Sequence, residues 1–314
     1  MRVVVTGGAG FIGSSLVHAL VGGGAEVTII DDLSTGSMDN VHPAAAFRFA
    51  DITTEAAADV IREARPEVVV HLAAQVSVSA SIVDPDHDRR VNVDGTGAVA
   101  EAAAAAGARR VLFASSAAVY GEPAELPLTE ASPTSPAVPY GHSKLAAEAV
   151  LADVLRPAGV DFAALRFANV YGPRQRAEGE GGVVAEFASR MASGITPVIY
   201  GTGAQTRDFI FVADIVGACV AAADFDGTLA GPGAQGPAYN ISTGRATSVN
   251  MLAEGLRTAM RYPGEIERSA AREGDVEESV LSPEKAEVTF GWRAAVELQN
   301  GLAATAAWFQ QHAR

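Results

Sequence analysis

Cysteine, positive charge and long apolar runs are all scarce in this sequence of 314 residues. The single cysteine, Cys219, excludes a disulfide within the chain and any cluster of cysteine metal ligands, and it suits a reducing compartment. The apolar tract at 98–106 is interrupted by Glu101, and no run reaches the ~18 residues of a membrane span. The first residues lack the apolar stretch of a signal peptide. We therefore predict a cytoplasmic protein without a membrane segment.

Basic residues are also in deficit. The chain has 23 Lys and Arg against 37 Asp and Glu, which gives a formal net charge of −14 at pH 7. Because phosphate backbones are bound through basic faces, this balance predicts no nucleic-acid partner. A small anionic ligand is not excluded, since a few local arginines suffice to bind it. Five arginines fall in motifs or loops that we expect near a ligand cleft: Arg166, Arg174, Arg176, Arg207 and Arg272. The six histidines show no metal-ligand spacing, so no metal site is predicted.

The overall composition, with 48% apolar and 19% charged residues, indicates an ordinary globular chain. Over residues 1–170, short β-branched runs alternate with helical patterns, which is typical of βαβ units. The strands predicted on this basis are Arg2–Thr6, Glu26–Ile30, Ala46–Ala50, Glu67–His71, Arg109–Ala114 and Asp161–Arg166. The helices predicted between them are 11–22, 54–64, 88–106 and 141–156. The predicted fold class is α/β, with a doubly wound parallel sheet of the Rossmann type.

The alternation stops near residue 170. Residues 172–182 and 226–237 have the composition of loops, and helical patterns follow at 183–193, 213–223, 248–261 and 297–311. We predict a first domain at 1–170 and a smaller lobe at 171–314. Some segments of this lobe are expected to return to the first domain.

A glycine-rich turn follows the first predicted strand directly. Gly7, Gly10 and Gly13 form a G-x-x-G-x-x-G pattern that opens a helix. Glycines there permit a tight turn, a close approach of the backbone to a diphosphate, and close packing of helix on strand. The helix N-terminus then offers unpaired N–H groups to the phosphates. Glycine spacing alone is also compatible with a plain tight turn, but its place between strand and helix favours dinucleotide binding.

Two aspartates end the second predicted strand. Asp31 lies 31 − 7 = 24 residues after Gly7, and Asp32 follows it. A carboxylate at this point accepts hydrogen bonds from ribose hydroxyls and repels a 2′-phosphate, which favours NAD over NADP. The alternative is a solvated aspartate after a strand.

A tyrosine and a lysine stand four residues apart in Tyr140-Gly-His-Ser-Lys144. On a helix this spacing places both on one face. A nearby ammonium lowers the pKa of a phenol, so Tyr140 is predicted to be a usable base. Ser116 follows the strand at 109–114 and is placed to hydrogen-bond a reacting oxygen. The alternative is a surface tyrosine that lies near a lysine by chance.

The sequence resembles the extended short-chain dehydrogenases/reductases of the nucleotide-sugar epimerase/dehydratase family, and among them the UDP-glucose 4-epimerases most, with UDP-glucuronate 4-epimerases as a second possibility. The resemblance covers nearly the whole chain. It rests on TGGAGFIG at 6–13, HLAA at 71–74, NVDGT at 92–96, SSAAVYG at 115–121, YGHSK at 140–144, LRFANVYGPRQ at 165–175, YGTGAQTRDFIFVADI at 200–215, REGD at 272–275 and GW at 291–292.

The resemblance implies a set of cofactor-binding residues. Gly7, Gly10, Phe11, Ile12 and Gly13 would bind the NAD diphosphate, Asp31 with Asp32 the ribose, Asp51 and Ile52 the adenine, and Leu72, Ala73, Ala74 and Asn92 the middle of the cofactor. Ser116, Tyr140 and Lys144 would be catalytic, with Tyr140 and Lys144 also contacting NAD.

The resemblance also implies substrate-binding residues. Ser116, Asn169, Arg207 and Arg272 would contact the UDP-sugar, the last three at its diphosphate, and Asp275 would contact the uridine. Ser279 matches a position that narrows the sugar pocket in some relatives, and a serine leaves room for larger, N-acetylated sugars. Arg176 lies close to where UDP-glucuronate 4-epimerases bind the sugar carboxylate, although a solvated loop arginine is an equal alternative.

The implied activity is an NAD-dependent UDP-sugar 4-epimerase, which inverts C4 through a transient 4-keto sugar and NADH while NAD stays tightly bound. Ala117-Ala118 stands where dehydratases of the family carry an acid pair, which disfavours dehydration. Two alternatives stay open: a nucleotide-sugar 4-ketoreductase and a non-catalytic NAD or nucleotide sensor. The resemblance further implies a homodimer paired through the helices at 88–106 and 141–156.

Overall fold

The structure is a computed structural model that describes residues 1–123, 125–177, 182–231, 237–271 and 276–312. The strands within these ranges are β1 (Arg2–Thr6), β2 (Glu26–Asp31), β3 (Ala46–Phe49), β4 (Val68–His71), β5 (Arg110–Ser116), β6 (Asp161–Phe167), β7 (Asn169–Tyr171), β8 (Val198–Tyr200), β9 (Thr206–Arg207), β10 (Phe209–Phe211), β11 (Ala238–Ile241), β12 (Thr247–Ser248), β13 (Glu267–Ser269) and β14 (Glu278–Ser279).

The α-helices within the same ranges are α1 (Phe11–Gly22), α2 (Glu55–Ala64), α3 (Val78–Val83), α4 (Pro85–Arg89), α5 (Gly95–Ala105), α6 (Pro139–Leu155), α7 (Val183–Ala192), α8 (Val212–Asp224), α9 (Val249–Met260), α10 (Glu284–Phe290) and α11 (Leu298–His312). Short 3₁₀ turns occupy Met38–Asn40 and Ala117–Val119, and a π turn at Arg90–Asp94 joins α4 to α5. In the described part of the chain, none of the helices has both the length and the apolar character to span a bilayer.

A seven-stranded sheet forms the centre of the molecule, in the order β11-β6-β5-β4-β1-β2-β3. Every pairing in it is parallel. Strand β1 lies between β2 and β4, so the chain winds outwards in both directions from this point. A crevice opens at such a switch point, beyond the carboxyl ends of the strands, and ligands of open α/β sheets bind there. The predicted fold class is confirmed.

Helices cover both faces of this sheet because its strands are apolar on both sides. Val3 and Val5 pack in one core with residues of α1 and α8, such as Leu16 and Ile215. Val4 points to the opposite face and joins the core formed with α2, α5 and α6. The alternation of side chains along a strand explains this division. The sheet is thus held rigidly between two helical layers.

A separate core holds the C-terminal lobe together. Helices α7, α9 and α11 contribute Phe187, Leu252, Leu256, Leu302 and Phe309 to it. The chain between α8 and α9 returns to the central sheet, where β11 pairs with β6. The division of function at residue 170 is still a prediction, but the second half of the chain completes the sheet of the first.

Candidate active site

A cleft of about 580 Å³ opens beyond the carboxyl ends of β1, β2, β4, β5 and β6. Its volume lies within the range of small-molecule and cofactor sites. Most residues predicted for the site line it: Gly7, Gly10, Phe11, Ile12, Gly13, Asp31, Asp32, Asp51, Ile52, Leu72, Ala73, Ala74, Ser116, Tyr140, Lys144 and Asn169. Within the described residues, no group of three or more His, Cys, Asp and Glu side chains could hold a metal ion.

The glycine-rich turn has no room for a side chain at Gly7 or Gly13. Gly7 has a φ of +69°, and a Cβ added there would lie 2.8 Å from the Ala73 nitrogen. A Cβ on Gly13 would lie only 2.0 Å from the Gly7 carbonyl oxygen. Helix α1 therefore starts directly against β1, and its first residues, Phe11, Ile12 and Gly13, line the cleft. This cradle fits the diphosphate of a dinucleotide.

Asp31 ends β2 with a nearly buried carboxylate at the cleft wall. Its Oδ2 accepts a hydrogen bond from the Ala9 N–H at 2.9 Å, and its Oδ1 accepts one from the Leu33 N–H at 2.8 Å. Burial raises the pKa of Asp31, and these two hydrogen bonds oppose the rise. Asp32 and Asp51 each accept hydrogen bonds from the turn that follows them. A carboxylate accepts up to about four hydrogen bonds, so Asp31 can also bind ribose hydroxyls.

Helix α6 positions Tyr140 and Lys144. Pro139 occupies its first turn, where a missing N–H costs nothing, so the helix begins just before Tyr140. Gly141 lets this end pack tightly on the turn after Ser116, because a Cβ there would lie 2.6 Å from the Ala118 carbonyl oxygen. Tyr140 and Ser116 thus come within hydrogen-bonding reach. The Lys144 Nζ lies 5.9 Å from the centroid of the Tyr140 ring.

The pKa of Tyr140 departs from the sequence prediction. Burial, with a smaller contribution from the charge of Asp88, raises the pKa of Tyr140 to about 12, and the hydrogen bond with Ser116 opposes the rise. The sequence predicted a lowered pKa because of the neighbouring ammonium. In the structure the Lys144 Nζ donates to the Ala114 carbonyl oxygen at 2.9 Å, and Lys144 is not among the groups that shift the pKa of Tyr140.

Lys144 is itself buried beside the central sheet. Burial lowers its pKa to about 8, while the carboxylates of Asp88 and Glu148 act in the opposite direction. His71 lies nearby, fully buried, with its pKa lowered to about 3 by burial and by the charge of Lys144. The His71 ring bonds Thr6 Oγ1 at 2.7 Å and Thr96 Oγ1 at 3.0 Å, so it is neutral and structural.

Asn92 does not line the cleft. Its buried side chain lies behind the loop that follows β4 and accepts a hydrogen bond from the Gln75 N–H at 2.9 Å. Its Nδ2 lies 2.9 Å from the Gln75 carbonyl oxygen. The resemblance implied a cofactor contact, whereas the structure gives Asn92 contacts that shape the cofactor-side loop.

The residues predicted to bind substrate do not all line the same cleft. Arg207 and Ser279 lie side by side as partners in the pairing of β9 with β14. They lie outside the lining of the cleft described above. Arg272 and Asp275 fall outside the described residues. Asn169 is exposed on β7 at the cleft wall.

Three further arginines differ in their surroundings. Arg176 is exposed, and its Nη1 donates to the Thr35 carbonyl oxygen at 3.1 Å, in the loop after Asp32. Arg174 has a φ of +72°, and its Nη1 lies 3.4 Å from Ser14 Oγ on α1. The sequence grouped Arg166 with them, but it is buried in an ion pair with Glu148 at 2.7 Å and does not face a ligand.

Gln175 is a cleft residue that was not predicted from the sequence. Its side chain is 5% exposed and lines the cleft. Its Nε2 donates to the Val170 carbonyl oxygen at 3.2 Å, while its Oε1 has no hydrogen-bond partner among the described residues. Buried polar atoms are almost always paired, so this acceptor is suited to a donor on a ligand. The sequence carried no signal for it beyond its place in the motif at 165–175.

Comparisons with known proteins agree with this geometry. Residues 3–242 match the NAD dependent epimerase/dehydratase family. A UDP-glucose 4-epimerase from Mycolicibacterium smegmatis is 42% identical over 99% of both chains. A crystal structure of a Thermotoga maritima UDP-glucose 4-epimerase with UDP-glucose has 37% identity and a TM-score of 0.93 over 99% of both chains. A structure of MoeE5 with UDP-glucuronic acid and NAD has 32% identity and a TM-score of 0.87, and covers 99% of this chain and all of the other.

The cleft at the switch point, its glycine cradle and the Ser–Tyr–Lys set define a nucleotide-dependent enzyme of the α/β class. The chain belongs to the NAD dependent epimerase/dehydratase family. Its cofactor is NAD, and the glycine cradle and the Asp31 carboxylate suit that molecule.

Proposed function

We propose that the protein inverts C4 of UDP-glucose and UDP-galactose, with UDP-glucuronate and UDP-galacturonate as the second substrate pair. It is an NAD-dependent UDP-sugar 4-epimerase, and therefore an isomerase. The observation that carries the proposal is the placement of Ser116, Tyr140 and Lys144 together at the cofactor cleft, in a chain whose relatives are named for this reaction.

Gly7, Gly13 and Asp31 would hold NAD, which would supply the acceptor and donor of the C4 hydride, so that no net oxidant is consumed. The side chains of the protein control the proton and the orientation. The Tyr140 phenolate accepts the proton of the 4-hydroxyl, and the phenol returns a proton when the inverted alcohol forms. Ser116 hydrogen-bonds Tyr140 and stabilises its ionised form. The Lys144 Nζ lies 5.9 Å from the centroid of the phenol ring and is held there by the Ala114 carbonyl oxygen.

The residues after Ser116 support epimerisation over dehydration. Ala117 and Ala118 form a 3₁₀ turn there and carry no acid or base. Elimination of water from the sugar needs a group that removes one proton and a group that donates another. With alanine at both positions, Tyr140 and Ser116 are left to move the proton of a single hydroxyl.

Cofactor stoichiometry separates this function from its alternatives. We expect purified protein to convert UDP-glucose to UDP-galactose over many turnovers for each bound NAD, without added cofactor. A 4-ketoreductase would consume one reduced nicotinamide for each product formed. A non-catalytic sensor would bind nucleotide without any turnover. Separation of the products, together with absorbance of reduced cofactor, distinguishes the three.

Tyr140→Phe tests the base directly. Loss of the phenolic oxygen removes the proton acceptor, so kcat should fall by about 10²–10⁴-fold. Tyr262→Phe, in the C-terminal lobe, is the matched control, because the Tyr262 hydroxyl contacts only the Ile195 carbonyl oxygen at 3.5 Å among the bonds described. A Tyr140→Phe variant that retained full activity would contradict the assignment.

UDP-glucose is placed ahead of UDP-glucuronate because of Arg176. Its guanidinium reaches the Thr35 carbonyl oxygen on the Asp31 side of the cleft and does not contact Ser116 or Tyr140. In Arg176→Ala we expect the turnover of both UDP-glucose and UDP-glucuronate to stay near the wild-type rate. A selective loss of UDP-glucuronate turnover would instead assign Arg176 to the sugar carboxylate.

Arg207, Arg272 and Asn169 are proposed to bind the diphosphate of the substrate, and Asp275 the uridine. Ser279, next to Arg207 across β9 and β14, is proposed to leave space for an N-acetylated sugar. Incubation with UDP-glucose and UDP-N-acetylglucosamine in parallel tests this. Comparable rates support the spacious pocket, and turnover of UDP-glucose alone contradicts it.

A homodimer and a cytoplasmic location complete the proposal. Helices α5 and α6 pack against each other and present small exposed residues, among them Ala105, Ala146 and Ala149. Two such pairs can approach closely and form a four-helix bundle.

The single cysteine, buried with its pKa raised to about 12 by burial, is consistent with a reducing compartment.

A further inference from the structure

A buried carboxylate lies near the catalytic residues, on the helix before the π turn. Asp88 lies on α4 and is 1% exposed. Among the ion pairs of the described residues, none includes Asp88. Burial of an unpaired carboxylate is costly, and proteins retain such groups where their charge or geometry is used.

Asp88 is linked to the catalytic helix by hydrogen bonds. Its Oδ1 accepts from Gln75 Nε2 at 2.7 Å and lies 3.1 Å from Asn92 Nδ2. Asn92 Nδ2 lies 3.1 Å from Ser143 Oγ on α6, and the Ser143 hydroxyl donates to the Tyr140 carbonyl oxygen at 3.0 Å. The π turn at Arg90–Asp94 carries Asn92 into this network, and such turns often mark functional positions.

The same network shapes the wall of the cofactor cleft. Gln75 lines the cleft, and its backbone is held by Asn92 on both sides, through the N–H and the carbonyl oxygen. The Gln75 side chain bridges Asp88 to the Ser77 carbonyl oxygen, which its Nε2 contacts at 3.0 Å. Asp88 therefore joins the loop beyond β4 to the start of α6.

The charge of Asp88 acts on both Tyr140 and Lys144. Its charge raises the pKa of Lys144, and it also raises the pKa of Tyr140. The other carboxylate that acts on Lys144 is Glu148, which is neutralised by Arg166 through bonds of 2.7 and 2.9 Å.

The remaining titratable groups around these helices are neutral or face solvent. His71, on β4, is buried and neutral. Arg89 and Arg90 beside α4 are exposed, as are His142 and Asp153 on α6 and Glu101 on α5. His87 is partly exposed and contacts Arg90. Asp88 is thus the buried charge opposite Lys144 that no other described cation offsets.

We propose that Asp88 is a positioning residue for epimerisation, which fixes Gln75 and Asn92 against the start of α6 and supplies the negative charge that balances the Lys144 ammonium. This inference rests on the proposed function, because it assigns Asp88 a role in that reaction. The carboxylate does not touch the sugar. It acts through the residues that hold the base and the cofactor-side loop.

Asp88→Asn separates charge from shape. The amide keeps an acceptor oxygen for Gln75 and removes the charge. Since that charge raises the pKa of both Tyr140 and Lys144, both pKa values fall in the variant. The whole bell-shaped profile of kcat against pH should move to lower pH by about one unit. Asp86→Asn, an exposed carboxylate on the same helix, is the matched control and should leave the profile in place.

Gln75→Leu removes the hydrogen bond between Gln75 Nε2 and Asp88 Oδ1 by changing the donor, and it keeps the charge of Asp88. We expect kcat to fall by about tenfold at every pH, because the cofactor-side loop loses its hydrogen bond to Asp88, without displacement of the bell. This variant also tests positioning should Asp88→Asn fail to fold. An unchanged kcat in Gln75→Leu, or an Asp88→Asn profile that superimposes on the wild type, overturns the proposal.

A titration that does not depend on turnover keeps the two proposals distinct. Ultraviolet difference spectra of the NAD-loaded protein follow tyrosine ionisation, and subtraction of the matching Tyr140→Phe spectra isolates Tyr140. Its ionisation should occur at lower pH in Asp88→Asn than in the wild type. If no UDP-sugar were turned over, the proposed function would fail while this titration still decided whether Asp88 acts on the phenol.

Discussion

Ser116 opposes the effect of burial on the phenol of Tyr140. A base that is buried and has its pKa raised to about 12 is poorly ionised near neutral pH, so each group that stabilises the phenolate matters. The hydroxyl of Ser116 does so through a hydrogen bond, from a strand end that the sheet holds rigidly.

Ser116→Ala should therefore slow the reaction most at low pH. Removal of a group that lowers the pKa of Tyr140 raises that pKa, so the acidic limb of the kcat profile moves to higher pH. We expect kcat at neutral pH to fall by about tenfold or more. Ser116→Thr, which keeps the hydroxyl, should restore most of the activity. A parallel loss in both variants would indicate a packing role instead.

Single residues could be predicted from the sequence where a motif fixes their place, and not where burial decides their chemistry. Gly13, Asp31 and Tyr140 all line the cleft, and their binding and catalytic roles stay predictions. The predicted direction of the pKa shift of Tyr140 was wrong, because spacing along a helix says nothing about desolvation. The sequence did not indicate Gln175, because the lack of a partner for its Oε1 is a property of the tertiary structure. It did not indicate Asp88 either, because the hydrogen bond of Asp88 with Gln75 forms only in the folded chain.

At the scale of elements, the junction of β1 and α1 makes a sharp prediction. Gly13→Ala forces a methyl group against the Gly7 carbonyl oxygen, and overpacking of this kind costs about 1–3 kcal/mol. The cradle should distort, and the NAD content of the purified protein should fall. Gly22→Ala, at the other end of the same helix with no atom within 4 Å of the added Cβ, is the control and should retain NAD. Cofactor released by heat and assayed enzymatically gives the measurement.

The ion pair between β6 and α6 predicts a large effect on stability. Arg166 and Glu148 have side-chain exposures of 7% and 11%, and Arg166 also donates to the Tyr120 hydroxyl at 3.0 Å. Arg166→Met leaves Glu148 buried without its partner, so the free energy of unfolding should fall by about 3–5 kcal/mol. Urea unfolding measures it. Arg257→Met breaks the exposed pair with Glu254 and should change little; equal losses in both variants would refute the argument.

The long elements were predicted well and the short ones were not. Helix α1 and strand β1 have the predicted bounds, and the other predicted strands agree within one or two residues. The helix predicted at 88–106 is interrupted by the π turn and begins earlier, at Pro85, because proline fits a first helical turn. Strands of two or three residues, such as β9 and β14, are too short to show periodicity and arise from tertiary pairing.

At the scale of the whole molecule, the sequence predicted the Rossmann-type sheet, the NAD cofactor and the UDP-sugar 4-epimerase activity, and these are confirmed. The alternation of strands and helices is repeated often enough to specify this architecture. The assignment of β11 to the sheet could not be predicted in detail, because its four residues lie far along the chain from β6.

The proposed homodimer predicts a particle of twice the mass of one chain in light scattering at micromolar concentration. Ala149→Glu should shift it towards the monomer, because a charge on the exposed face of α6 opposes close approach of two helices. Ala44→Glu, at an exposed alanine after β2, is the control and should leave the dimer intact. A wild-type monomer at this concentration would contradict the proposal.

Strand β11 also protects the edge of the sheet. It covers β6, in which six of seven residues are buried. Without the second half of the chain, β6 would present a row of unpaired N–H and C=O groups on a long apolar strand, and such edges recruit other chains. The second half of the chain therefore also closes an edge of the central sheet that would otherwise be open to pairing with other chains.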